Sequence, residues 1–242
     1  MLMMITSVAH DPFDVPEWFE EPAEGIYEKY IQTIRFTDYF LGQFCGRLRE
    51  EKLDGNTILC VIGDHGTSFR TRRQKGRWIP YEEVIRVPWV ISWPGHLEPG
   101  QVIEWPCSQL DVTPTILSLV GFGIERADFD GRDALQRPDG VRRFYFSSLL
   151  ANSPAGFVEQ DTKIVYWPYI EKVFRYDLVA DPNEENPTLI PSPRKEAIIE
   201  DIRRWESKSQ IAVDVKRHTK RFLFSHWQVF SIGRSAWAYY VP

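Results

Sequence analysis

Cysteine is scarce in this sequence and badly spaced for its usual structural roles. The 242 residues contain three, Cys45, Cys60 and Cys107, an odd number with no CxxC pair. That count indicates neither a disulfide framework nor a zinc knuckle. Cys60, inside the apolar run TILCVI, reads as a small hydrophobe. An excess of basic charge is also missing: 29 Lys and Arg against 34 Asp and Glu leave a formal charge of -5. This argues against the basic footprint of a nucleic-acid binder, though not against a local basic patch. No apolar run approaches the roughly 20 residues needed to cross a bilayer. The opening MLMMITSVAHDPF lacks a basic n-region and a small-residue cleavage site, so it does not read as a signal peptide. Internal repeats and low-complexity linkers are absent too. What remains, 43% hydrophobic and 26% charged, is the composition of a soluble globular chain long enough to bury a real core.

Along the chain, MLMMITSV predicts a buried strand ending near His10, and the proline- and acid-rich DPFDVPEWFEEP predicts a loop. Between Ala23 and Lys52, Ile26, Tyr30, Ile34, Leu41, Phe44 and Leu48 recur at helical spacing. Asp54-Gly55-Asn56 marks a turn, TILCVI a continuous apolar strand, and VPWVISW another. TILSLVG predicts a short helix closed by Gly121, with Asp111 as an N-cap-like residue before it. RRFYFSSL, TKIVYW and KVFRYDL predict later strands, the last two as a hairpin-like pair. SPRKEAIIEDIRRWESKS predicts an amphipathic helix. Helix followed by buried strand is the grammar of a parallel sheet covered on both faces. The expected fold class is therefore α/β, with a largely parallel central sheet flanked by helices. The aromatic tail after Arg221 is interrupted by His226, Gln228 and Arg234, so packing onto the domain is expected rather than membrane contact. His96, His218 and His226 belong to no motif and read as surface or packing residues.

Chemistry concentrates in CVIGDHGTSF, residues 60–69. A strand ends there by presenting Asp64 and His65 between two glycines. Side chains of a continuing strand point to opposite faces, so the two converge only if the strand has ended. The glycines permit such a bend and a close approach. Ligands of open sheets bind beyond the carboxyl ends of strands. An oxygen and an imidazole nitrogen together suit manganese or zinc better than calcium. A plain turn capped by Asp64 is the simpler alternative on this motif alone.

The pair is accompanied by three other segments in a telling order. YIQTIRFTDYFLGQFCGRLREEKLDGNTILCVIGDHG, YEEVIRVPWVISWPG, QLDVTPTILSLVG and YDLVADPNEENP together resemble the sulfatase family, within the broader alkaline-phosphatase-like superfamily. The resemblance runs from about residue 3 to residue 187. It implies an alkaline-phosphatase-like fold, a divalent metal (manganese, zinc or calcium) and sulfate- or phosphate-ester substrates. By the resemblance, Asp64 and His65 are metal ligands, and His10, in AHDPF, contacts the ester oxygens or assists the leaving group. A basic side chain before the Tyr81-Glu82 segment neutralises charge on the transferred group. Arg77 stands in the family's register and Lys75 lies beside it; an Arg fork and a Lys point charge are not interchangeable. A solvated basic loop is the bland reading of RTRRQKGR. Asp111 and Arg86 are expected to be structural, Arg86 as a buried ion-pair partner.

The same resemblance exposes what is missing. The family's nucleophile, a Cys or Ser in Cys/Ser-x-Pro-x-Arg converted to formylglycine, has no counterpart. Cys45, Cys60 and Cys107 are followed at the second position by Arg47, Ile62 and Gln109. The family's first metal carboxylates are also lacking. The expectation is therefore an incomplete, C-terminal half of a catalytic domain. Residues 1–190 form its sheet part, and 191–242 a helix and tail packing on the same domain. This implies a fragment with little or no activity alone and with the N-terminal half as a possible partner. Full-length relatives are often extracytoplasmic. Two further readings stand beside it: a phospho-transferring relative, such as a phosphonate monoester hydrolase or a lipoteichoic-acid-synthase-like phosphoglycerol transferase, and a non-catalytic interaction module.

Overall fold

The computed structural model describes residues 2–69, 80–124, 129–147, 153–223 and 240–241; from residue 209 onward it describes backbone only. The chain divides into two compact units. The first comprises residues 1–60 and 91–101, the second 61–90 and 102–242.

The first unit is built on helix α1 (Ile26–Glu50). Its entry is fixed by Gln32, whose side-chain amide accepts from Ala23 N at 3.0 Å and donates to Glu21 O at 2.7 Å. Trp18, Phe19, Phe36 and Phe40 form a set of edge-on and tilted ring contacts along this helix. Residues 2–7 form no strand, against the expectation, and Leu2, Met3, Met4 and Ile5 are exposed. An apolar run becomes a strand only when a neighbour takes its backbone hydrogen bonds. No such neighbour is present among the described residues.

Strands β1 (Leu59–Ile62) and β2 (Trp89–Ser92) pair as a two-stranded sheet. Between them lies α2, a single turn at Glu82–Ile85. The second unit also holds β3 (Cys107–Ser108) and α3 (Val112–Leu119), which Gly121 closes at φ +82° as the sequence suggested. Its body is a five-stranded sheet: β4 (Arg143–Ser147), β5 (Ala155–Glu159), β6 (Thr162–Trp167), β7 (Lys172–Asp177) and β8 (Thr188–Leu189), adjacent in chain order. Helix α4 (Arg194–Leu223) follows, and β9 (Tyr240–Val241) pairs antiparallel with β3.

The α/β class holds, but the largely parallel sheet does not describe these strands. Every pairing in the five-stranded sheet is antiparallel. The misleading signal was a helix followed by the apolar strand TILCVI, a pattern that reports burial and not strand direction; TKIVYW and KVFRYDL, expected as a hairpin-like pair, do pair antiparallel as β6 and β7. One face, with Phe146, Val158, Val165 and Tyr176, packs with Ile85 and Val87. The other, with Ala155, Phe157, Ile164, Tyr166 and Val173, packs with Ile190 and with Ile198, Ile199 and Ile202 of α4. Asp201 fastens α4 further, accepting from Arg143 at 2.7 Å and from the Tyr145 hydroxyl at 2.8 Å.

Asp111 is structural, in a fuller sense than a cap. Ser108 and Asp111 form a reciprocal capping box before α3. The buried carboxylate also accepts from Arg132 N and, through both oxygens, from Arg142 Nη1. Arg86, in contrast, is exposed rather than a buried ion-pair partner. It follows α2 in extended backbone between the buried Ile85 and Val87, where neighbouring side chains alternate in direction. His96 stacks on Trp93 at 3.9 Å between ring centroids, a packing role. His226 and most of the aromatic tail lie outside the described residues, as does the side chain of His218.

Candidate functional site

Asp64 and His65 leave the end of β1 as the sequence suggested, and the strand does stop. Gly63 N donates to Pro88 O at 3.1 Å, and Gly66 N donates to Val84 O at 2.7 Å. Between those anchors the chain turns outward. Both glycines are required by crowding. A Cβ on Gly63 would lie 2.9 Å from Val87 Cβ, and one on Gly66 would strike the carbonyl oxygen of Glu83. The approach that the glycines permit is therefore by the neighbouring backbone of α2, as well as by any ligand.

Asp64 projects into solvent, its side chain 86% exposed, while that of His65 is only 27% exposed. Asp64 Oδ1 accepts from His65 N at 2.9 Å. His65 Nδ1 lies 2.8 Å from Gly66 O. A carbonyl oxygen only accepts, so the neutral ring carries its proton on Nδ1 and its lone pair on Nε2. That Nε2 is 3.9 Å from Asp64 Oδ2. Gln109 adds support from the turn before α3, its Nε2 donating to Gly63 O at 2.6 Å and to Asp64 O at 3.2 Å. Among the described residues, no group of three or more His, Cys, Asp or Glu side chains is placed to share an ion.

Three further residues, His10, Lys75 and Arg77, are expected from the sequence. His10 belongs to the first unit. It is exposed in a turn where its N donates to Ser7 O and its carbonyl accepts from Phe13 N. Lys75 and Arg77 lie outside the described residues. Sequence reasoning missed Gln109, although it sits two residues before Asp111 in a segment already singled out. It also missed Ser68, which bonds Glu83 across the turn. A side chain that holds a backbone carbonyl carries no local pattern of its own.

Comparison with known proteins addresses the family directly. The sulfatase family profile matches residues 1–122, half of the chain. The chain belongs to the sulfatase family. An endo-4-O-sulfatase of Bacteroides thetaiotaomicron is 24% identical over 226 residues, covering 80% of this chain and 43% of that protein. A lipoteichoic acid synthase-like protein of Bacillus subtilis is 29% identical over 132 residues, covering 48% of this chain and 21% of its own length. Among solved structures, the lipoteichoic acid synthase LtaP from Listeria monocytogenes superposes with a TM-score of 0.62 at 16% identity. It covers 86% of this chain and 52% of that one. An alkaline phosphatase superfamily protein from Vibrio parahaemolyticus gives 0.57 at 20% identity, covering 81% and 45%. These neighbours establish the alkaline-phosphatase-like fold. The chain spans less than half the length of the curated sulfatases it matches, 18% to 43%.

Proposed function

We propose that this sulfatase-family chain carries part of the metal centre of a sulfuric ester hydrolase, with Asp64 and His65 as two of the ligands. The observation that carries this reading is the tautomer fixed by Gly66. His65 donates its Nδ1 proton to a backbone carbonyl, which leaves the lone pair on Nε2, 3.9 Å from Asp64 Oδ2. Metal-bound histidines are oriented by such a second bond. Metal–donor distances of about 2.0–2.2 Å in a tetrahedral site put two donors about 3.4 Å apart; these two are 3.9 Å apart, so a small rotation of the exposed Asp64 side chain would bring them to one ion. The donor set suits manganese or zinc.

Bound there, a divalent ion supplies charge to the oxygens of a sulfate ester. The residues of the chain do the rest. Asp64 contributes negative charge, His65 a neutral nitrogen, and Gln109 holds the carbonyls of Gly63 and Asp64 so that the turn keeps its shape. In the same reading His10, with Arg77 or Lys75, meets the developing charge on the ester. Two ligands leave an ion largely uncompensated, and the sequence holds no Cys/Ser-x-Pro-x-Arg segment from which a formylglycine nucleophile would arise. The 242-residue chain on its own is therefore expected to turn over little or no ester, acting as a fragment that a further segment completes.

The test is direct. The purified chain should bind manganese or zinc with micromolar affinity, Asp64→Ala should abolish the binding, and a chromogenic aryl sulfate should not be hydrolysed when metal is added. Binding unchanged in Asp64→Ala, or robust turnover, would overturn the reading. Absence of binding in the unmodified chain would favour a non-catalytic interaction module. A phospho-transferring role is the second reading, favoured by the Bacillus subtilis relative. The nucleophile of a completing segment separates the two: Cys or Ser for sulfate esters, Thr for phosphoglycerol transfer.

A further inference from the structure

Lys163 is the most deeply buried cation of the described residues, 1% exposed as the second residue of β6. Its ammonium donates to Pro80 O at 2.8 Å, pairs with Glu82 at 3.3 Å and with Glu184, and lies 5.6 Å from the centre of the Tyr176 ring. Glu184, itself buried and at φ +55°, accepts from Glu82 N through its other oxygen at 2.6 Å. Burial pushes its carboxyl above the usual range, and the ammonium beside it pulls the other way. The contacts to Pro80 O, to the Glu82 carboxylate and to the Glu82 amide converge on the start of α2. The opposite side of the same turn holds the candidate site: Val84 O receives Gly66 N, and Glu83 receives Ser68. Gly66 O in turn fixes the ring of His65. An unbroken set of bonds therefore runs from an ammonium in the sheet, through one helical turn, to the imidazole.

We propose that Lys163 and Glu184 are positioning residues for the Asp64–His65 pair, acting through α2. An apolar pair of the same volume would fill this space without the desolvation cost of two charges. It would not fix where the Pro80 carbonyl and the Glu82 amide must sit. The ionic pair specifies both points. With them it sets the height at which Val84 offers its carbonyl to Gly66. The inference rests on the Asp64–His65 reading only for its link to metal; the mechanical link stands on geometry.

Amide exchange of the full chain, followed by NMR, tests it, with Lys163→Met as the variant. The Gly66 amide should exchange about tenfold faster or more, and the ring signals of His65 should lose the Nδ1–H signature. The Ile190 amide, bonded to Val173 O in the same sheet, should change by less than about threefold. Unchanged Gly66 exchange in folded Lys163→Met overturns the proposal. Equal acceleration at Gly66 and Ile190 overturns it too, because that is loss of stability alone. If Lys163→Met does not fold, Glu184→Gln is read by the same two amides with the same expected contrast. Manganese affinity supplies a separate readout, with a loss of about tenfold expected in either variant. A chain that binds no manganese at all sinks the metal assignment while the exchange contrast still decides the positioning role.

Discussion

Replacing Asp111 by asparagine keeps the volume of the side chain and removes its charge, so no cavity contributes to the outcome. Each carboxylate oxygen accepts twice: one from Arg132 N and Arg142 Nη1, the other from Ser108 N and Arg142 Nη1, at 2.7–2.8 Å. Whichever position takes the new amide nitrogen then faces two donors with a donor. The side chain of Asp111 is 2% exposed and that of Arg142 17%. The guanidinium is left largely buried without its counter-ion. Breaking a buried ion pair from one side costs about 3–5 kcal/mol. Residual solvent access to Arg142, and its bond to Asp130 O at 3.4 Å, place the expectation at the lower end, about 3 kcal/mol. In urea unfolding followed by tryptophan fluorescence, with a slope of about 2–3 kcal/mol/M, the midpoint should fall by about 1–1.5 M. The Asp111→Asn/Arg142→Met double variant should recover part of that loss, since no unpaired charge remains. A midpoint shift below about 0.3 M in the single variant would refute this account of what holds β3, α3 and β4 together.

Three further outcomes follow from the same contacts. Gly66→Ala should lower stability by about 1–3 kcal/mol and abolish any manganese binding, because its methyl group collides with Glu83 O; a fully stable variant with intact binding would contradict that. Burial, reinforced by Asp111, pushes the Cys107 thiol up to about 11. Iodoacetamide at neutral pH should therefore leave Cys107 unmodified in the native chain and label it in urea, as read by peptide mass. The Asp177 carboxyl is held below its usual range by the amide of Ala180, then that of Val179 and the charge of Arg175. A carboxyl whose folded pKa is lowered adds stability above its unfolded pKa of about 4 and loses it as pH falls through the folded value. The melting temperature of Asp177→Asn should accordingly depend less steeply on pH below about 4 than that of the unmodified chain.

The sequence was most legible where one local rule decided the outcome. Helical spacing located α1 and α4, turn residues bracketed β1, and the strand-end glycines marked Asp64 and His65. It was misleading where an outcome depended on partners far along the chain. Direction in the five-stranded sheet is set by which strands meet, and the order of helix then apolar strand at α1 and β1 imitated a parallel sheet. Residues 2–5 carry strand-like composition, yet composition cannot supply the neighbour that makes a strand. Lys163 looked like one polar interruption in TKIVYW. Its meaning depends on Glu184, Glu82 and Pro80, which no period links to it. Gln109 is similar, since its targets are two backbone carbonyls more than forty residues away.

The clamp on α2 also constrains the order in which this protein can mature during synthesis. Glu82 and its buried acceptor Glu184 are 102 residues apart. A ribosome adding about 5–20 residues per second exposes the Asp64–His65 turn several seconds before the carboxylate that steadies it has been made. In that interval the turn has its two glycines but no fixed seat. If Asp64 and His65 hold an ion as proposed, its capture should be a late event, following closure of the antiparallel sheet, and truncated nascent chains ending before Glu184 should not retain it.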